Sequence, residues 1–168
     1  MKDILHYNIN TKGKGDQKLI AIGNDHAALN LKKTVIEFLQ EKNLPFKDFG
    51  AFEEVEGIDY PDYALKVAKA VASGECEKGI LLCGTGIGVS IAANKVRGIR
   101  AAVCTDVYSA KAARNHNNAN ILCLGERVIG AGVAREILEA FFSSEYEGGR
   151  HQRRIDKISD IEKNPHLK

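Results

Sequence analysis

Residues 79–88 read GILLCGTGIG, an apolar run that ends in Cys83 and is followed at once by three alternating glycines. Such a run predicts a buried strand that leads through a tight loop into a helix. Shorter apolar runs of the same kind predict four further strands, at 18–23, 46–49, 99–104 and 120–125. Helical patterns lie between and after them, at 26–42, from Tyr60 onward, and at 88–95, 107–115, 130–143 and 147–163. The alternation predicts a parallel sheet with helices on both faces.

The predicted fold is therefore a single-domain, three-layer α/β/α sandwich around a five-stranded parallel, Rossmann-like sheet. A chain of 168 residues is long enough for one such domain. We place the domain at residues 18–163, with a helix at its C-terminal end. Residues 1–17 are polar and contain Gly13 and Gly15, so we predict a flexible lead segment there.

The composition argues against several partners and compartments. A net charge of +2 gives no support for nucleic-acid or membrane binding. The first residues lack the apolar core of a secretory signal, and no run approaches the roughly 18 apolar residues of a membrane span. The four cysteines form no CxxC pair and lie mostly in apolar runs, which suits reduced thiols. We expect a cytoplasmic protein with no metal site.

Polar residues follow three of the predicted strands and indicate where a ligand would bind. Asp25 and His26 follow the first strand, Cys83 ends the third, and Asp106 follows the fourth. In open parallel sheets, ligands bind beyond the carboxyl ends of the strands. The same edge is therefore the predicted site.

The loop after Cys83 allows two interpretations. It is either a tight turn or a cradle of backbone N–H groups for an anion. A dinucleotide fingerprint is disfavoured, because Val89 stands where the third glycine belongs and the loop does not follow the first strand. Cys83 itself is either a buried structural thiol or a reactive one, since a helix N-terminus can activate a cysteine. Cys76, Cys104 and Cys123 lack this setting and are assigned to structure.

Two further groups of residues lie near the ends of predicted helices. His116 is either a helix cap or a catalytic group. Its helix ends away from the carboxyl edge of its own sheet, so it would reach Cys83 only from another subunit. Arg150 and Arg154 share one helical face, and are either a solvated charge run, a nucleic-acid patch or a grip for a phosphate monoester.

These residues together resemble the type B ribose-5-phosphate isomerases and the related galactose- and allose-6-phosphate isomerases. The resemblance covers about residues 18–162 and rests on motifs in the same order along the chain: Asp25-His26, 59–64 (DYPDYA), 83–88 (CGTGIG), Asn94-Lys95, 98–101 (GIRA), His116-Asn117 and 146–151 (YEGGRH).

The resemblance implies an aldose–ketose isomerase that uses no cofactor and works through an enediolate, with a homodimeric site and a dimer of dimers as a further option. It gives Cys83 the role of base and His116 that of ring-opening acid, and lets Thr85 orient the reacting groups. The remaining implied contacts are with substrate: the loop Gly84, Gly86, Ile87 and Gly88 with the oxyanion, Asp25 and Tyr60 with the sugar, and His26, Arg150 and Arg154 with the phosphate. Asn117 and Arg127 are further implied substrate contacts.

The preferred substrate pair is ribose 5-phosphate and ribulose 5-phosphate. The same chemistry on a hexose 6-phosphate, allose or galactose, is the nearest alternative. A non-catalytic module that binds a nucleotide or a sugar phosphate is the alternative from a different class.

Overall fold

The computed structural model of the chain describes residues 19–52 and 59–164. The predicted lead at 1–17 lies outside these residues. Within them, five parallel strands form one sheet in the order β2-β1-β3-β5-β4. The strands are β1 (Ile20–Asn24), β2 (Phe46–Asp48), β3 (Lys78–Cys83), β4 (Ala101–Val103) and β5 (Ile121–Gly125).

Six α-helices among the described residues accompany the sheet: α1 (Leu29–Glu41), α2 (Tyr60–Ala72), α3 (Ile87–Ala93), α4 (Val107–Asn115), α5 (Ala131–Ser143) and α6 (Gln152–Lys163). Helices α1, α4 and α5 bury one face of the sheet around Ile22, Ile80 and Leu122. Helices α2 and α3 cover the other face around Leu81 and Cys123. The predicted three-layer sandwich with a five-stranded parallel sheet is confirmed.

The apolar stripes that predicted the helices face these two cores. In α1 the four predicted positions Leu31, Val35, Phe38 and Leu39 are all buried. In α6 only Ile155 is buried, whereas Ile158 and Ile161 remain exposed. The central strands β1, β3 and β5 carry apolar residues on both faces, because helices cover both sides.

Several element boundaries differ from the predictions; α1 begins at Leu29, after a 3-10 turn at His26–Ala28, and not at residue 26. Strand β4 covers only Ala101–Val103, because the Arg100 N–H donates to the side-chain oxygen of Asn120 and not to a neighbouring strand (2.8 Å). Helix α6 begins at Gln152 and not at residue 147. Gly148 and Gly149 have positive φ angles of 64° and 54°, which an α-helix cannot contain. No helix among residues 19–52 and 59–164 has the length and hydropathy needed to cross a membrane.

Candidate active site

Cys83 lies at the carboxyl edge of the sheet, as the last residue of β3. Its side chain is almost fully buried, and its Sγ accepts a hydrogen bond from the N–H of Gly86 (3.1 Å). The chain returns to the sulfur because Gly86 adopts a φ of 77°, a conformation that favours glycine. An N–H directed at the sulfur places a partial positive charge beside it. The thiol is thus held in place by the loop that follows it.

Backbone hydrogen bonds join the loop after Cys83 to the loop after β5. The N–H groups of Glu126 and Arg127 donate to the carbonyls of Cys83 and Gly84, each at 3.0 Å. A Cβ on Gly125 would lie 2.5 Å from the carbonyl carbon of Thr85, so only glycine permits this approach. Two strands therefore hold the loop in one conformation.

Not every backbone donor of the loop is directed toward a ligand. The Gly86 N–H is engaged by Cys83, and the Ile87 N–H donates to Thr85 Oγ1 (3.3 Å). Thr85 and Ile87 are exposed, whereas Gly86 is buried. In the single chain, two N–H groups of the predicted anion-binding loop therefore donate to acceptors within residues 83–88 and not to a ligand.

Two side chains border the loop on either side. The ring of Tyr60 packs on Gly88, where a Cβ would lie 2.8 Å from Cε2 of the ring. Tyr60 is the first residue of α2, and a capping box between Asp59 and Asp62 fixes that end of the helix. Arg127 lies over Gly84, where a Cβ would be 3.4 Å from Nη1. Both predicted residues flank the Cys83 loop.

Asp25 and His26 follow β1 at the same edge. Asp25 is largely buried, and its carboxylate accepts the Ala27 N–H at 2.9 Å, which starts a short 3-10 turn at His26–Ala28. Burial is the main cause that raises the pKa of Tyr63 in α2, and the charges of Asp25 and Asp62 add to it. His26 is exposed. The expected convergence of Asp25, His26 and Cys83 on one edge is observed.

Asp106, the third polar residue predicted at this edge, has another partner. Its carboxylate accepts the N–H of Ser109 (2.8 Å) and caps α4. The hydrogen bonds from the Ser109 side chain and backbone lower the pKa of Asp106. Its role in the described structure is that of a helix cap.

The other three cysteines lie in environments that disfavour the thiolate. Burial raises the pKa of Cys76 and of Cys104 to about 11, with the nearby carboxylates of Glu75 and Asp106 adding to the effect. Burial also raises the pKa of Cys123 well above its usual value. These thiols stay protonated at neutral pH, which supports their structural assignment.

His116 lies at the opposite, amino edge of the sheet. It caps the C-terminus of α4, and the chain continues from there to the start of β5. Its ring stacks on that of His151, with centroids 4.4 Å apart and planes inclined by 7°. The next residue, Asn117, is exposed, and its carbonyl accepts a hydrogen bond from Arg100 Nε (3.1 Å).

The predicted phosphate-binding arginines lie beside His116. The Glu147 N–H donates to the Asn115 carbonyl (3.0 Å) and so fixes the segment before α6 to the end of α4. Arg154 Nη1 donates to the Arg150 carbonyl (3.1 Å), and Arg150 Nε lies 3.4 Å from Nε2 of His151. Sequence reasoning assigned His151 no role, although its position within the basic cluster was a signal for one.

The predicted site residues thus form two groups at opposite ends of the strands. Asp25, His26, Tyr60, Arg127 and the 83–88 loop lie at the carboxyl edge. His116, Asn117, Arg150 and Arg154 lie at the amino edge. A strand of five or six residues spans roughly 17–20 Å, far beyond hydrogen-bond reach. One chain by itself does not bring Cys83 and His116 together.

A sequence profile described as ribose/galactose isomerase matches residues 20–158. The chain belongs to this family. Ribose-5-phosphate isomerase B of Escherichia coli is 49% identical over 145 residues, which cover 86% of this chain and 97% of that protein. D-erythrulose-4-phosphate isomerase of Pectobacterium atrosepticum is also 49% identical, over 85% of this chain and 94% of its own length.

A solved structure supports the same assignment. The ribose-5-phosphate isomerase B of Clostridium thermocellum is 54% identical and superposes with a TM-score of 0.83 over 86% of this chain and 97% of that one. The predicted family and the predicted isomerase class are confirmed. As a member of the ribose/galactose isomerase family the chain is an enzyme, so the non-catalytic binding module is not retained.

Proposed function

We propose that this isomerase interconverts ribose 5-phosphate and ribulose 5-phosphate. The observation that carries the proposal is the Cys83 thiol, which lies at the carboxyl edge and accepts a hydrogen bond from the Gly86 N–H. The chain that holds this thiol belongs to the ribose/galactose isomerase family. A proton must move between C1 and C2 of the open-chain sugar phosphate. Cys83 is the base that removes the proton from C2 of the aldose and returns it to C1 of the enediolate, and between these two steps the hydroxyl proton passes from O2 to O1.

The residues around Cys83 support the charged intermediate and the sugar. Backbone N–H groups of residues 84–88 and the Thr85 hydroxyl stabilise the enediolate oxygens, because fixed donors aimed at a developing charge lower the barrier. Tyr60 and Arg127 border the same loop, Asp25 lies at the same edge of the sheet, and all three contact the sugar.

The second group of residues comes from a partner subunit. We propose a homodimer in which the partner's amino edge faces this chain's carboxyl edge. His116 then protonates the ring oxygen as the furanose opens, and Asn117 holds the substrate. Arg150 and Arg154, together with His26, bind the phosphate, because guanidinium groups match phosphate oxygens. The position of His116 and Cys83 at opposite edges of one chain supports this arrangement.

The number of carbons in the substrate is a separate question. A similar relative is named for a four-carbon sugar phosphate, and the family description includes galactose. A hexose 6-phosphate is therefore the competing substrate.

We also propose the cytoplasm as the working compartment, since all four cysteines are buried free thiols.

Initial rates on ribose, allose, galactose and erythrulose phosphates test the function. We expect the highest kcat/KM on ribose 5-phosphate. The Cys83→Ser variant should lose turnover by about a hundredfold or more, the usual contribution of a general base, while Cys76→Ser retains it. A higher kcat/KM on a hexose phosphate would reject the pentose assignment. Near-normal turnover of Cys83→Ser would reject the thiol as base.

A further inference from the structure

Three metal-ligating side chains meet at the amino edge, outside the Cys83 loop. They are His116, Glu147 and His151, and one donor atom from each lies within 4.8 Å of the others. Two imidazoles and one carboxylate form the ligand set of open zinc sites, in which the fourth position is left for water. Glu147 and His151 have no part in the isomerase mechanism proposed above.

Backbone hydrogen bonds hold the three residues in place. The Glu147 N–H is bonded to Asn115 next to His116, and the His151 N–H donates to the Gly148 carbonyl (3.0 Å). The positive φ angles of Gly148 and Gly149 turn the chain back so that the two imidazoles stack. Because an imidazole binds a metal ion in the plane of its ring, one of the two nearly parallel rings must rotate before both can bind the same ion.

The carboxylate of the cluster lies close to one of its imidazoles. Glu147 Oε2 lies 3.6 Å from His151 Nε2, so a cation bound there would have an anionic ligand. The exposed Arg150 must turn away from Nε2, so we expect micromolar and not nanomolar affinity.

We propose that His116, Glu147 and His151 bind a divalent transition-metal ion of the Zn²⁺ type, and that this ion inhibits the enzyme by occupying His116. The proposal that these residues bind the ion depends only on the geometry of the cluster. The proposal that the ion inhibits the enzyme rests on the proposed function, because His116 belongs to the sugar site only in that proposal. Since a sugar phosphate must reach His116 from solvent, a metal ion can reach it by the same route.

Calorimetric titration of the full-length protein with Zn²⁺ tests the binding half. We expect one ion per chain, and a loss of affinity of about tenfold or more in Glu147→Gln and in His151→Asn, since even outer-shell changes cost that much. Glu145→Gln removes the same charge from an exposed residue two positions away and should bind normally. Unchanged affinity in both Glu147→Gln and His151→Asn, or no binding to the wild type, overturns the proposal.

Co²⁺ absorption identifies the ligands. A nitrogen and oxygen ligand set gives visible bands without the near-ultraviolet charge transfer of a thiolate. Cys83→Ser should leave the Co²⁺ spectrum unchanged. If the spectrum shows a thiolate band that Cys83→Ser abolishes, the ion is bound by Cys83 and the His116–Glu147–His151 site is wrong.

Inhibition of turnover by Zn²⁺ tests the second half. Glu147→Gln should isomerise sugar phosphates at the wild-type rate and need about tenfold more Zn²⁺ for half inhibition, in line with its loss of affinity. Zinc bound in calorimetry without any effect on turnover would overturn the inhibitory half and the placement of His116 in the sugar site. If the wild type isomerises none of the sugar phosphates, the proposed function fails, while calorimetry still decides the metal site.

Discussion

Gly86 is the residue on which the geometry around Cys83 depends. Its φ of 77° directs its N–H at the sulfur, and a Cβ at this position would lie 3.1 Å from the backbone carbon of Leu124. Sequence reasoning identified Gly86 as one of three glycines in a loop. It offered no reason to prefer Gly86 over its neighbours, because a φ angle and a contact with β5 depend on the folded sheet.

Replacing Gly86 with alanine should damage both stability and catalysis. We expect a loss of about 1–2 kcal/mol in the free energy of unfolding from the left-handed backbone, and a larger loss of kcat because the N–H moves away from Cys83. Gly74→Ala is a matched control, since Gly74 has a φ of 80° and a Cβ added there would meet no atom within 4 Å. Urea unfolding and turnover separate the two effects. Equal losses of kcat in both variants would contradict the role of Gly86.

At the scale of elements, the strands and helices were predictable because they depend on local hydrophobic patterns. The apolar runs predicted all five strands, and the stripe at Leu31, Val35, Phe38 and Leu39 predicted the buried face of α1. The predicted start of α6 was wrong, although Gly148-Gly149 is a dipeptide that marks turns, because the helical pattern on either side continues past the two positive φ angles. The stacking of His116 on His151 depends on that interruption, so the sequence pattern did not reveal it.

Arg150 in the turn before α6 and Arg154 in the first turn of α6 form the proposed phosphate-binding site. Arg150→Ala and Arg154→Ala should each raise KM for ribose 5-phosphate by about tenfold or more, since a hydrogen bond to a charged group contributes about 1.5–3 kcal/mol. The value of kcat should change less, because the phosphate is bound equally in the ground state and the transition state. Arg153→Ala is the control from the same basic run. Unchanged KM in both test variants would place the phosphate elsewhere.

At the scale of the whole molecule, the site residues divide between two edges of one sheet. The direction of each chain segment was predictable, since every helix after a parallel strand returns to the amino edge. Chain direction alone therefore places His116 away from Cys83. Which surface of a second copy supplies His116 depends on shape and side-chain packing between subunits, and neither can be deduced from apolar periodicity.

Complementation between two inactive variants tests whether the site is shared. In a dimer of one Cys83→Ser chain and one His116→Asn chain, one site carries both substitutions and the other carries neither. Random pairing of two co-expressed chains in a two-fold dimer should therefore restore about one quarter of the wild-type turnover. Each variant expressed alone should remain inactive. If Cys83 and His116 act within one chain, every site in the mixture carries one substitution, and turnover stays at the level of the separate variants.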